Sequence, residues 1–328
     1  MWKIFKKNIT FLFLCGFLII ILINSQIAIA FASNGLYLWF QNMIPTLFPF
    51  MILSAVLLRT NLSYKVAALL KPILFPVYRL SNDCIYCMVI GFLCGFPMGA
   101  KIIAESYHLH KISKKEAQLL LAFCNNIGPT FILGFIIPLF QIKEISLVFF
   151  TMYGIPLLYG FLLRYTKFRD LKDDHSLEII DTSETILDAF DYAIHSSIQA
   201  ITTLGGYMIF FNLLMIFPYL SQVISLACKG EIADVVGGNL FSPFVREKIP
   251  ETLYAISCCL TEITGGANIL ATLDLDYKII LILLHFGGLS CIAQTYTMIN
   301  STNLSIREYA SHKIIQSVIV ALFLYLIN

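Results

Sequence analysis

Three short groups of polar residues, each set in an apolar run, carry the chemistry that this sequence offers. The first is Gly95-Phe96-Pro97-Met98-Gly99-Ala100-Lys101. Proline lacks an N–H and stops a helix, while glycine permits a tight turn and close approach of helices. A helix restarting near Met98 presents free N–H groups, which attract anions, and Lys101 in its first turn adds a full charge. The plain alternative is a lysine reaching toward the cytoplasm beside an ordinary turn.

The second group is Cys124-Asn125-Asn126-Ile127-Gly128-Pro129. In a continuous helix Pro129 would clash with the carbonyl of Asn125, so a break is expected, with two carboxamides beside the freed backbone groups. The third is Thr261-Glu262-Ile263-Thr264-Gly265-Gly266-Ala267-Asn268, which contains the most isolated carboxylate of the chain. Glu262 there is suited to binding a coupling cation, carrying a proton, or pairing with Lys101. It is equally suited to hydrogen-bonding its own turn. Intramembrane charges are costly and usually functional. The candidate substrate-binding residues are therefore Gly95, Phe96, Pro97, Gly99, Lys101, Asn125, Asn126, Gly128, Pro129, Glu262, Thr264, Gly265, Gly266 and Asn268. Weaker candidates are Gly287, Gly288, Ser290, Gln294 and Thr295. His195 and His285 read as packing residues, and Glu105, His108 and His110 as solvated groups at a hairpin exit.

The elements that must hold these groups are membrane helices. Of 328 residues, 58% are hydrophobic and 13% charged, about half the charge of a soluble domain. Residues 9–23, 35–58 and 205–228 carry no charge, and roughly 20 apolar residues cross a bilayer. Spans are expected at 9–30, 35–58, 116–141, 144–164, 190–218, 276–300 and 313–327. Residues 64–79, with Lys65, Lys71, Arg79, Pro72 and Pro76, suit the interface better. Residues 84–108 and 250–273 are apolar on both sides of a glycine-rich centre, with arms covering about half a bilayer, so both read as re-entrant hairpins.

Lys3, Lys6 and Lys7 before the first apolar stretch, with Ala28-Ile29-Ala30 after it, also resemble a signal peptide. The stretch outruns a usual signal core, which favours an anchor, and either reading leaves the amino terminus in the cytoplasm. With hairpins that return to the side they left, seventeen lysines and arginines, Arg307 and Lys313 among them, fall inside and five fall outside. The first hairpin then enters from the cytoplasm and the second from outside. Aligning 91–104 with 258–271 gives identities at Leu93/Leu260, Gly99/Gly266, Ala100/Ala267, Ile102/Ile269 and Ala104/Ala271.

The expected fold is thus an all-α polytopic membrane protein with about seven spans and two re-entrant hairpins in an inverted repeat, a plan of secondary transporters. Its parts are an anchor at 1–34, a first repeat at 35–164, a cytoplasmic loop at 165–189 and a second repeat at 190–328. Among nine cysteines, Cys84 and Cys87 form the one CxxC pair, and no histidine stands at ligand spacing. No metal or redox role is expected. Hydrolase patterns and phosphate loops are missing from the sequence, so catalysis is not expected either. The expected partners are a small-molecule solute, the lipid bilayer and a homo-oligomer, without nucleic acid. No cofactor is expected, and coupling would use a proton or sodium ion.

At these motifs the chain resembles the sporulation integral membrane protein family (YlbJ-like), within the broader group carrying the nucleoside-recognition Gate domain. The resemblance rests on residues 35–58, with Pro45-Thr46-Leu47-Phe48-Pro49-Phe50, the 95–101 turn, residues 125–131, and Glu262-Ile263-Thr264 with the glycines that follow. It implies a cell-envelope protein of endospore formers, multi-pass in the mother-cell-derived outer forespore membrane and associated with moving dipicolinic acid toward the forespore. The Gate group is similar in plan to concentrative nucleoside transporters, so a nucleoside carrier is the alternative substrate reading. A non-transporting scaffold for spore maturation is the alternative outside transport. Phe96, Met98, Ile127 and Gly128 depart from the family pattern, as do short connecting loops.

Overall fold

The computed structural model describes residues 2–171, 185–228, 248–273 and 275–327, and the described residues form helices and turns without a strand. Most of the expected 165–189 loop lies outside them, as do Lys229 and Arg246 from the charge count. Among the described residues, six helices are long and apolar enough to cross a membrane: Ser25–Arg59, Lys114–Phe140, Ile145–Tyr165, Ile186–Val223, Lys278–Ile299 and Ile306–Leu326. A seventh results if the bent pair Ser63–Tyr78 and Asn82–Cys94 counts as one span. Apolar side chains such as Leu22, Leu69, Leu158 and Leu322 stay exposed on the outside, as suits a hydrocarbon solvent. The protein is a polytopic membrane protein.

The first two expected spans differ from the structure. The chain breaks at Asn24, and Ser25–Arg59 runs on through the expected boundary near residue 34. Gly35 sits inside that helix because its bare Cα lets the backbone of Met208 approach; a Cβ there would lie 2.7 Å from the Met208 carbonyl oxygen. Gly205 does the same for Trp39, whose indole N–H donates to the Ile201 carbonyl at 2.8 Å. The helix Ile186–Leu214 is thereby held along 25–59.

Three π-helical turns occur at Trp39–Met43, Ile132–Ile136 and Phe150–Gly154. Each is centred four residues before a proline (Pro45, Pro138 and Pro156). That central carbonyl is the one a proline ring would strike in a regular helix, and a wider turn moves it away.

Residues 64–79, expected at the membrane interface, lie in the helix Ser63–Tyr78 and its cap, turned by 100° from Asn82–Cys94. Arg79 caps it in the left-handed conformation. The junction is fastened by Arg164, 4% exposed, whose guanidinium donates to the carbonyls of Tyr78, Arg79, Phe168 and Leu171. A lysine cannot reproduce that planar fork. Arg164→Lys is expected to lower the melting temperature of the purified protein, and Arg164→Met to destabilise it by about 3–5 kcal/mol through unpaired buried carbonyls. Thermal unfolding in detergent checks both, and equal stability of all three proteins would contradict it.

Both stretches expected as re-entrant hairpins fold as pairs of packed helices. The first pairs Asn82–Cys94 with Met98–His108, and the second pairs Lys248–Thr261 with Ile263–Ala271.

Candidate functional site

The first expected break is found where proline requires it. The helix Lys114–Cys124 stops, residues 125–128 run extended, and a new helix starts with Pro129 in its first turn. Stopping a helix within the membrane leaves its last carbonyls without partners, which hydrocarbon does not tolerate. Here the Gln316 carboxamide donates to the Ala122 carbonyl at 2.8 Å, and Asn126 Nδ2 donates to the Phe123 carbonyl at 2.6 Å. The Tyr153 hydroxyl donates to the Ile127 carbonyl at 3.0 Å. Asn126 is therefore part of the break's own repair.

The tip of the first hairpin lies on this break. Gly95 has φ +80°, and a Cβ there would be 2.2 Å from the Gly128 nitrogen. A Cβ on Gly99 would be 3.0 Å from Asn125 Oδ1, which accepts the Ala100 N–H at 3.2 Å. The helix start beyond Pro97, expected to be open to an anion, is thus capped across the break by Asn125. The other end of that carboxamide donates to Thr295 Oγ1 at 3.0 Å and to the Tyr309 hydroxyl at 3.1 Å. One side chain ties the first tip to both later spans.

The second hairpin repeats the arrangement. Glu262 is the N-cap of Ile263–Ala271 and accepts the N–H groups of Thr264 at 3.1 Å and Gly265 at 2.7 Å. Asn212 Nδ2 donates to it at 3.1 Å, and Asn34 Nδ2 donates to Asn212 Oδ1 at 3.2 Å. Gly265 closes on Asn212, and Gly266 lets the two arms meet at the Cys259 backbone. The span Lys278–Ile299 is interrupted at Gly287 and Gly288, with φ of +76° and +79°. A Cβ on Gly288 would lie 2.9 Å from the Cys259 carbonyl oxygen, as one on Gly128 would lie 2.8 Å from that of Cys94. Each hairpin arm therefore seats on a glycine at the break of another span.

A cavity of about 50 Å³ opens where these parts meet. Phe96 and Gly128 line it from the first tip and break, Glu262 and Thr264 from the second tip, and Gln294 from the second broken span. Thr46 and Thr130 add hydroxyls. Of the residues expected to bind solute, Phe96, Gly128, Glu262 and Thr264 reach the cavity, while Asn125 and Asn126 support it from behind. Gly95, Pro97, Gly99, Pro129, Gly265 and Gly266 shape the backbone around it, and Asn268 is half-buried outside its lining.

Lys101 departs from expectation. It is buried but does not line the cavity, and its ammonium lies 3.7 Å from Glu105, one helical turn on. It is not paired with Glu262, whose oxygens are occupied at their own helix start. Glu105, expected to be solvated, is that lysine's partner, and side-chain exposure there is 17%. His285 is buried between the carbonyls of Leu281 and Thr151, as a packing residue should be. His195 is exposed near Asp191 instead.

The buried cation beside the site is Lys313. It was expected at a cytoplasmic helix start, yet it lies inside Ile306–Leu326 at 0% exposure. Its ammonium donates to Asn126 Oδ1 and, at 3.1 Å, to Gln316 Oε1. It stands 5.2 Å from the Phe96 ring centre and 5.9 Å from that of Tyr309. The available signal was the spacing Tyr309, Lys313, Gln316, which places three polar groups on one helix face. Asn212 also escaped the sequence reading, being fifty positions from its partner Glu262.

No family model and no solved structure matches the chain. It is similar to the "Sporulation integral membrane protein YlbJ" of Bacillus subtilis (strain 168), with 26% identity over 330 residues covering 93% of this chain and 78% of that protein. The match runs almost end to end.

Proposed function

We propose that the protein is a secondary transporter of a small polar or anionic solute, and that this solute is dipicolinic acid moved from the mother cell toward the forespore. One observation carries the reading: both hairpin tips and both broken spans contribute to a single cavity. Discontinuous helices with freed polar groups around a shared central site are the usual construction of alternating access. Ligand pockets usually measure about 300–1,000 Å³, so a cavity of about 50 Å³ must widen to take up solute. Solute would enter as the tips separate from the breaks.

In this reading Glu262 binds the coupling proton or sodium ion, because it is the one carboxylate lining the cavity. Phe96, Thr264 and Gln294 contact the solute. In this reading the first tip faces the cytoplasm and the second the outside, which the uneven distribution of lysine and arginine supports, and the setting is the outer forespore membrane. The name of the similar protein, a sporulation integral membrane protein, supports a role in sporulation.

A nucleoside carrier is the second reading. It is favoured by the neutral donors and acceptors Thr46, Thr130, Thr264 and Gln294 along the cavity. Uptake of labelled dipicolinate into proteoliposomes, with nucleosides as competitors and imposed proton or sodium gradients, separates the two. Saturable uptake unaffected by nucleosides is expected. Saturable uptake of a labelled nucleoside with no dipicolinate accumulation would overturn the first reading in favour of the second.

A further inference from the structure

We infer that Lys313 is the charge that recognises an anionic solute, an ammonium kept behind the Phe96 ring that pairs with a solute carboxylate when the ring moves aside. This rests on the transporter reading and assigns it a residue and a substrate class.

Lys101 has Glu105 and Lys167 has Glu308. Lys313 is fully buried, and among the described residues no carboxylate lies within ion-pair distance of it. Its partners are carboxamide oxygens and ring faces, which carry partial charge only. Glu262 does not serve as counter-ion, since its oxygens face Thr264, Gly265 and Asn212. A cation inside a membrane helix bundle is costly, and neutral hydrogen bonds recover only part of its hydration. A carboxylate brought by the solute would complete the balance.

Geometry gives the route. Phe96 both lines the cavity and lies against Lys313. Its ring also rests on Gly287 at the second break, where a Cβ would come within 3.1 Å of it. The ring is therefore a partition between cavity and ammonium, mounted on the hairpin tip. Separation of tip and break removes it from Gly287 and opens Lys313 to the cavity. A solute carboxylate brings the full opposite charge that a ring face lacks, so it displaces the ring from the ammonium.

The test uses the purified full-length protein in detergent, with thermal stabilisation by dipicolinate and by its neutral analogue pyridine-2,6-dicarboxamide. Truncating one partner of a buried charge pair costs about 2 kcal/mol or more, roughly 30-fold in affinity. Lys313→Gln, which retains a donor for Asn126, is expected to weaken dipicolinate by at least about that factor while keeping or gaining dicarboxamide binding. Lys313→Arg keeps the charge and should still prefer dipicolinate. This second variant decides the matter if Lys313→Gln does not fold. Equal dipicolinate affinity of wild type and Lys313→Gln, a loss of that preference in folded Lys313→Arg, or no stabilisation of the wild type would overturn the assignment. Lys313-dependent binding without uptake into proteoliposomes would instead overturn the transporter reading and leave the anion site standing.

Discussion

Gly95→Ala is expected to yield little folded protein, with a loss of about 3–5 kcal/mol where it can be measured. Two effects add. The backbone at Gly95 has φ +80° and ψ −166°, a region that side chains scarcely enter. The added methyl would also lie 2.2 Å from the Gly128 nitrogen and 2.8 Å from its Cα, both main-chain atoms that cannot rotate away. Moving them means lifting the first hairpin tip off its break, which undoes the cap that Asn125 provides to Ala100. Gly206→Ala is the control, because nothing lies within 4 Å of a Cβ there. Detergent melting curves should separate the two variants widely. Similar melting temperatures would show that the tip is not tightly seated.

The second large effect concerns Glu262, whose charge and whose oxygens do different things. Glu262→Ala removes the acceptor for two main-chain N–H groups and for Asn212, and a destabilisation of about 2–4 kcal/mol is expected from the lost cap and the unpaired donors. Glu262→Gln keeps one acceptor oxygen but turns its NH2 toward an N–H that the carboxylate accepted, so it is expected to fold with a smaller loss of stability than Glu262→Ala. If the carboxylate is the coupling group, Glu262→Gln should still lose accumulation of solute against a gradient. It would retain exchange of solute across the membrane at equal concentrations. Full gradient-driven accumulation by Glu262→Gln would reduce the residue to a helix cap.

The parts legible in the sequence are those dictated by local chemistry. Pro129 after two asparagines announces a helix break, and Gly95-Phe96-Pro97 announces a turn, whatever surrounds them. The same logic located the second tip at Glu262 and set residues 64–79 apart from the spans. Partnerships made across the fold were not legible. Asn125 finds Thr295 and Tyr309, and Asn126 finds Lys313, at separations of 170 residues or more. Lys313 was misplaced because charge counting treats a lysine near a span's end as solvated, whereas the helix begins seven residues earlier, at Ile306. Gly35 and Asn34 looked like a boundary. In the folded chain they are contact points, one admitting the Met208 backbone and the other holding Asn212.

These corrections change the electrostatic picture of the site. Its positive group is Lys313 behind Phe96, its negative group is Glu262 at the second tip, and the cavity between belongs to both halves of the chain. A cryo-electron microscopy map of the protein saturated with dipicolinate tests that account most directly. It predicts density between Phe96, Thr264 and Gln294, an enlarged cavity, and the Phe96 ring displaced from Gly287 with a carboxylate at Lys313. Solute density that touches neither hairpin tip, or a cavity still closed at saturation, would contradict it.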